Sequence, residues 1–424
     1  MRYVSTRSAA PPAPLSEAIE RGLAPDGGLY VPESFPSIDI DRLRAAPDLP
    51  TIAATLLEPF FDGDPLLTEL DAICEEAFNF PAPLRTLARD TAVLELFHGP
   101  TAAFKDFGAR FLAAVLARLQ PPGAAPLTVL VATSGDTGGA VAAAFAGRPR
   151  VEVVVLYPKG MVSERQERQL TCWGGNVHAL RVRGDFDACQ RLVKTAFQDE
   201  ALRSTRRLTS ANSISLGRLL PQMVYYAASA IQYERERGTA PGFVVPSGNL
   251  GNATACFWAR GLGLPIREIV LATNANPTLT RFVADGDWSP RPTVATLASA
   301  MDVGNPSNME RLVHLYGGHA PTRSRLHAHL VSDAEIREQI RGGEARWGEV
   351  WDPHTATAVA VRERIETADW VIVSTAHPAK FESVVEPLVG HSIAVPPALA
   401  ELLDRPMSFT EIDPDPAEFH EALQ

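Results

Sequence analysis

The sequence predicts an α/β fold in which mostly parallel strands are covered on both faces by helices, behind a separate N-terminal unit. Three observations carry this. From about residue 92, short apolar runs alternate with segments of helical period, and a second series of such runs begins near residue 242. Residues 1–90 differ in texture, mixing short helical segments with the turns "PPAP", "APDGGLYVPESFP" and "FPAPL". A chain of 424 residues with 46% hydrophobic content has enough apolar surface for two or three domains.

Taken in order, "AVLELF" (92–97) reads as a buried strand that "HGPT" breaks. Asp106 then opens a helix with apolar residues at 107, 111, 112, 115, 116 and 119. "LTVLVA" (127–132) is a second strand, followed by a small-residue helix from 138 and by the strand "VEVVVLY" (151–157). The second series is "GFVVPS" (242–247), "IREIVLAT" (266–273) and "DWVIVST" (369–375). Open α/β sheets bind ligands at the carboxyl ends of their strands, so chemistry is sought in the turns that follow these runs.

Bulk charge narrows the function classes. Fifty acidic against 39 basic residues, a net charge of −11, argue against broad nucleic-acid binding and against an anionic membrane surface. An anionic ligand would need a local site. The four cysteines form no CxxC pair and have no metal-ligand spacing, which predicts reduced, buried thiols, a cytoplasmic location and no metal. No apolar run approaches the roughly 20 residues of a membrane span, and the first 20 residues lack a signal-peptide core.

Only four of the 39 basic residues are lysines: Lys105, Lys159, Lys194 and Lys380. In a chain so biased to arginine, a retained lysine can mark chemistry that a guanidinium, which does not lose its proton, cannot perform. Lys105 sits between the first strand and its helix, where the helix dipole disfavours a cation and lowers an amine's pKa. It is either a nucleophile or an ordinary lysine that escaped the bias; Lys194, in the amphipathic "QRLVKTAF", reads as a surface residue.

Three further turns stand out. Gly248-Asn249-Leu250-Gly251-Asn252 follows the strand 242–247 and enters a helix; its glycines let backbone N–H groups converge on a phosphate, the favoured reading, with a loop carrying asparagine caps as the alternative. It matches neither GxxxxGK[ST] nor GxGxxG. "ATSGDTGGA", with Ser134, Gly135, Asp136 and Thr137, can wrap a carboxylate in N–H and hydroxyl donors or can simply cap a closely packed helix. Ser374, Thr375 and His377 end the strand 369–375, with His377 readable as a cap, a core residue or a catalyst. No GxSxG elbow or HExxH occurs. A nucleophilic lysine, a phosphate cup and a carboxylate loop together describe a site for pyridoxal phosphate and an amino acid.

Ordered motifs along nearly the whole chain carry a resemblance: "YVSTR", "GLAPDGGLYVPE", "FHGPTAAFKDFG", "ATSGDTGGA", "YPKG", "SANSISLGRLLPQ", "VPSGNLGN", "TNAN", "MDVGNPSNMERL" and "STAHPAKF". The chain resembles the threonine synthase family of fold-type-II pyridoxal-phosphate enzymes. The resemblance implies two open, mostly parallel sheets of the tryptophan synthase β kind. It also implies an N-terminal domain at 1–91, a large cofactor-binding domain at 92–120 and 238–424, and a smaller α/β domain at 121–237. Lys105 would be the Schiff-base lysine beside Phe104, and Gly248, Asn249, Leu250, Gly251 and Asn252 would hold the cofactor phosphate. Ser134, Gly135, Asp136 and Thr137 would lie beside the substrate carboxylate and the cofactor's ring hydroxyl, Thr375 would face the pyridine nitrogen, and Asn212, Ser213 and Arg218 would meet the substrate phosphate. The family commonly has an asparagine where this chain has Ser215, and a basic residue where it has Met161. "MDVGNPSNMERL" and "DPHTATAVA" (352–360) resemble the family but suggest only turns and helix starts.

The implied reaction turns O-phospho-L-homoserine and water into L-threonine and phosphate, in a monomer or homodimer. Its alternatives are a related lyase that releases 2-oxobutyrate, a non-catalytic protein that binds a phosphate ligand, and a nucleotide-dependent enzyme using "SGNLGN".

Overall fold

The computed structural model describes residues 1–88, 90–133 and 135–423. Its strands are β1 (Tyr3–Ser5), β2 (Tyr30–Pro32), β3 (Leu84–Ala88), β4 (Thr91–Glu95), β5 (Leu127–Ala132), β6 (Val151–Pro158), β7 (Val177–Val182), β8 (Arg207–Ser210), β9 (Gly242–Pro246), β10 (Glu268–Thr273), β11 (His327–Leu330), β12 (Trp370–Ser374) and β13 (Thr410–Ile412). Among the described residues they form an antiparallel pair, β1-β2, and two larger sheets. The six-stranded sheet has the order β11-β10-β9-β12-β4-β3, parallel except for β3. The five-stranded sheet, β13-β7-β6-β5-β8, is parallel throughout.

All six strands expected from apolar runs are present, within a few residues of their expected ends. Two strands lie across the expected domain boundaries. β3, from the N-terminal span, pairs with β4 in the first sheet, and β13, from the C-terminal span, pairs with β7 in the second. The β13 register is Thr410↔Leu180 to Ile412↔Val182, and Glu411 is gripped by Lys159 (2.9 Å), Arg181 (2.7 Å) and Arg183 (3.1 Å).

The helix Lys105–Arg118 departs from amphipathic expectation because it is covered nearly all round. Phe107 packs on Phe80, with ring centres 4.5 Å apart, and on Tyr225 at 5.3 Å, while Phe111 meets Phe61 edge-on. The N-terminal unit therefore roofs this helix, and each buried phenylalanine contributes about 2–3 kcal/mol. That roof matters for function because it fixes the helix whose first residue is Lys105.

Sheet order places the chemistry. β9, β12 and β4 are neighbours, so the glycine loop, the Ser374-Thr375 end and the Lys105 turn leave the same edge side by side. Phe104 N donates to Thr375 O at 2.8 Å, and Ala103 bridges Ala376, which stitches two of these turns together. The loop after β5 reaches the same place from the second sheet, since Asp136 lies 4.0 Å from Lys105 Nζ.

Candidate active site

Lys105 is the first residue of its helix, where Phe104 provides no side-chain cap. Its side chain is 14% exposed and borders a cavity of about 1360 Å³. The amine is pushed down to about 8, first by burial and then by the nearby Lys380 and Arg218 cations, against the pull of Asp136. The helix dipole alone was the expected cause. In the folded chain burial in the cleft comes first, and it depends on residues distant in sequence.

The glycine loop is a cradle. Leu250 takes the left-handed conformation (φ 61°) and opens the helix Gly251–Gly261 without a side-chain cap. Gly248 has no room for a side chain, because an added Cβ would lie 2.6 Å from Met301 Cα and 3.0 Å from its carbonyl oxygen. Asn249 Nδ2 donates to Ser213 Oγ at 2.6 Å, and its Oδ1 accepts from Ser307 N at 2.6 Å. Asn252 Oδ1 accepts from the hydroxyls of Tyr225 (2.5 Å) and Tyr226 (2.8 Å), which leaves its Nδ2 buried without a partner. Uncapped N–H groups, a forced glycine and an orphaned amide donor suit a phosphate group.

In the loop after β5, Thr133 Oγ1 accepts from Gly135 N (3.0 Å) and Gly138 N (2.9 Å). Gly135 has φ 136°, and an added Cβ would press on Gln166. Asp136 is buried, its Oδ1 accepting from Gln166 Nε2 (3.1 Å) and facing Lys380 Nζ (3.0 Å). Burial alone would raise this carboxyl, but Lys380, Lys105 and His354 hold it well below the usual carboxylate range. Thr137 borders the cavity, and Ser134 lies outside the described residues.

At the end of β12, Thr375 N donates to Thr355 Oγ1 at 3.2 Å, and Thr355 Oγ1 bonds Asp352 and lies 3.2 Å from Ser374 Oγ. Asp352 also holds His354 Nδ1 at 2.9 Å, and His354 Nε2 accepts from Ala300 N at 3.0 Å. "DPHTATAVA" is thus the support behind the strand end, a role its pattern did not disclose. His377 is a cap: Nδ1 accepts from Ala379 N at 3.2 Å, and burial lowers its imidazole to about 4, so it stays neutral.

Asn212 and Ser213 border the cavity beside Asn249, whereas Arg218 is not among the residues that line it. Arg218 is buried against the Lys105 helix, where Gly108 makes room for it. Its Nη1 donates to Ala211 O at 2.6 Å, and its Nε has no partner. Burial lowers the guanidinium to about 10, so it remains a cation at neutral pH. Ser215 Oγ is likewise buried and unpartnered, so the Asn-to-Ser departure sits behind the cavity wall. The lining also includes Arg7 and Asp302, which lie in "YVSTR" and "MDVGNPSNMERL" without having been given a role there, and Arg291, which lies in no motif; burial raises the Asp302 carboxyl to about 6.

"MDVGNPSNMERL" supplies a second unanticipated support. Asn308 Nδ2 donates to Asn249 O (3.0 Å) and Ser213 O (3.3 Å). The buried Arg311 holds Asn308 Oδ1 (2.6 Å), Ile214 O (2.7 Å) and Tyr30 O (3.1 Å), joining the glycine loop to the N-terminal unit. Replacing Arg311 strands three buried acceptors at about 1–3 kcal/mol each. Arg311→Met is therefore expected to lower stability by about 3 kcal/mol or more, read as a drop of several degrees in Tm with a matching loss of cofactor affinity. An unchanged Tm would contradict this role.

The fold and the converging turns define a class: a fold-type-II pyridoxal-phosphate enzyme. A family model described as pyridoxal-phosphate dependent enzyme matches residues 79–376. Models for the threonine synthase N terminus and C-terminal region match residues 2–78 and 355–423. Threonine synthase of Haemophilus influenzae is 40% identical over 96% of each chain, and that of Escherichia coli is 42% identical over 92% of each. The solved Escherichia coli threonine synthase matches with a TM-score of 0.92 and 39% identity, covering 100% of this chain and 99% of its own. The Brucella melitensis threonine synthase with bound PLP matches with a TM-score of 0.92 and 36% identity, covering 99% and 98%. The chain belongs to the threonine synthase family.

Proposed function

We propose that this chain converts O-phospho-L-homoserine and water into L-threonine and phosphate, using pyridoxal 5'-phosphate carried on Lys105. The observation that bears most weight is a buried amine with a lowered pKa at the meeting point of a phosphate cradle and a carboxylate-sized loop. When bound, the cofactor supplies the electron sink that makes the substrate's Cα and Cβ protons acidic enough to remove. Once the substrate's amino group has displaced it, Lys105 Nζ takes the proton from Cα, gives that proton up, and only then takes one from Cβ; an amine with a pKa lowered to about 8 is suited to both accepting and releasing. Phosphate leaves from Cγ, a proton is delivered to Cγ, water adds at Cβ, and Cα regains its proton.

The other residues bind and orient. Gly248, Asn249, Leu250, Gly251 and Asn252 hold the cofactor phosphate, with Asn252 Nδ2 as the buried donor. Thr375, fixed by Thr355, faces the pyridine nitrogen as a hydroxyl rather than a carboxylate. Gly135, Asp136, Thr137 and the adjoining Ser134 serve the substrate carboxylate and ring hydroxyl. Asn212, Ser213 and Arg218 serve the leaving phosphate, Arg218 as a buried cation with an unpartnered Nε among the described residues. The four cysteines are unpaired and buried, which suits a cytoplasmic enzyme. The active unit we take to be a monomer or a homodimer.

The test follows threonine, phosphate and 2-oxobutyrate together. Threonine and phosphate in equal amounts are expected; phosphate with 2-oxobutyrate would select a lyase, and no phosphate release would reject both. Arg218→Ala should lower turnover roughly tenfold to a hundredfold, the loss of one charge-assisted donor. It should leave the cofactor Kd within about threefold, because the glycine cradle makes no bond to Arg218. Equal losses in turnover and cofactor affinity would remove Arg218 from the substrate end.

A further inference from the structure

Lys380 is a fully buried lysine with no assigned role. It follows β12 on the short turn Pro378–Phe381, and its Nζ donates to Thr101 O at 2.6 Å and lies 3.0 Å from Asp136 Oδ1. The other carboxylate oxygen, Asp136 Oδ2, is 4.0 Å from Lys105 Nζ. One carboxylate therefore stands between two ammonium groups, in hydrogen-bond contact with Lys380 and held a step away from Lys105. Gln166 Nε2, at 3.1 Å from Asp136 Oδ1, reinforces the same side.

This asymmetry has a chemical sense. A lysine in a tight ion pair is locked as an ammonium and cannot accept a proton, whereas a lysine with no nearby carboxylate in a buried site cannot hold one. Two cations sharing one carboxylate leave neither fully compensated. We propose that Lys380 is a positioning residue for the reaction, anchoring Asp136 so that its charge steadies protons on Lys105 Nζ without capturing them. The assignment rests on the functional reading above, in which Lys105 carries the cofactor and moves the substrate's protons.

The charged groups around this centre come from several elements. Asp106 neighbours Lys105 on its own helix and bonds Thr101 through both oxygens, at 2.9 and 2.6 Å. Arg218 approaches from the short helix Leu216–Leu219, and His354, from the helix Pro353–Arg362, acts on Asp136. None of these bonds Asp136, so Lys380 is the one cation in hydrogen-bond contact with it among the described residues.

The test is a pH titration of the visible absorbance of holoenzyme, which reports the proton on the Lys105–cofactor linkage apart from turnover. In Lys380→Met the Asp136 charge is left to Lys105 alone, so the absorbance midpoint should rise by about one pH unit or more, a tenfold change in proton affinity. The acid limb of the kcat profile should move the same way. Asp136→Asn alone should lower the midpoint, and Lys380→Met/Asp136→Asn should return it toward that of the unaltered enzyme. If Lys380→Met does not fold, the single Asp136→Asn variant still decides. A midpoint unmoved in Asp136→Asn, or in a folded Lys380→Met, overturns the assignment. Unaltered protein that shows no visible cofactor band, or makes no threonine, would instead overturn the functional reading on which it rests.

Discussion

Lys105→Ala is expected to give a folded, colourless protein whose threonine production falls by about four orders of magnitude or more. On the proposed mechanism two losses coincide in one atom: the covalent hold on the cofactor, and the base at Cα and Cβ, which by itself is typically worth about a hundredfold to ten-thousandfold. The fold should survive, since the substitution removes a desolvated amine that, among the described residues, makes no hydrogen bond and comes only within 4.0 Å of Asp136. Lys105→Arg should be no better, because a guanidinium keeps its proton. Borohydride reduction of the unaltered enzyme should label the peptide containing Lys105. A label on Lys159, Lys194 or Lys380, or an alanine variant retaining more than about 1% of activity, would place the chemistry elsewhere.

Gly248→Ala should sharply weaken cofactor binding. The added Cβ would lie 2.6 Å from Met301 Cα, a backbone atom that no rotamer change can withdraw. Either the glycine loop or the segment around Met301 must shift, and overpacking of this kind costs about 1–3 kcal/mol. Because the shift falls in the phosphate cradle itself, the cofactor Kd should rise roughly tenfold to a hundredfold. Gly261→Ala supplies the comparison, at the far end of the same helix with nothing within 4 Å of the added carbon. Equilibrium titration of both variants with pyridoxal phosphate decides it, and equal affinities would show that the loop is more yielding than its packing suggests.

The sequence was most legible where a local pattern coincides with burial. "LTVLVA" and "VEVVVLY" are central strands, and their apolar runs announce them. β8 ("RLTS") and β11 ("HAHL") carry no such pattern, because each lies at an edge of its sheet and is partly wetted. The motif turns were readable for the same local reason: glycine and hydroxyl residues after a strand. What stayed hidden is whatever depends on a distant partner. Asn308 and Arg311 gain meaning from Ser213, Asn249 and Tyr30, and Asp352 and Thr355 from the end of β12. Arg218 shows the limit from the other side: its residue type was informative, but the direction of its guanidinium depends on the space above Gly108. The scarcity of lysines pointed to Lys380 as much as to Lys105, yet only the fold brings Asp136 between them.

The seat of β13 bears on how the molecule is made. Four of the five strands of its sheet are complete once residue 210 has been synthesised, while the fifth comes from Thr410–Ile412. A nascent chain leaving the ribosome must carry that sheet with the β7 edge open while some two hundred further residues emerge, and an open edge is a template for wrong pairing. Arg181 on β7, Arg183 just after it and Lys159 just after β6 make that waiting edge cationic until Glu411 arrives, which discourages like edges of neighbouring chains from pairing. That sheet is thus finished only when Thr410–Ile412 arrives, and a polypeptide terminated before Thr410 would hold every candidate site residue with one sheet permanently unfinished.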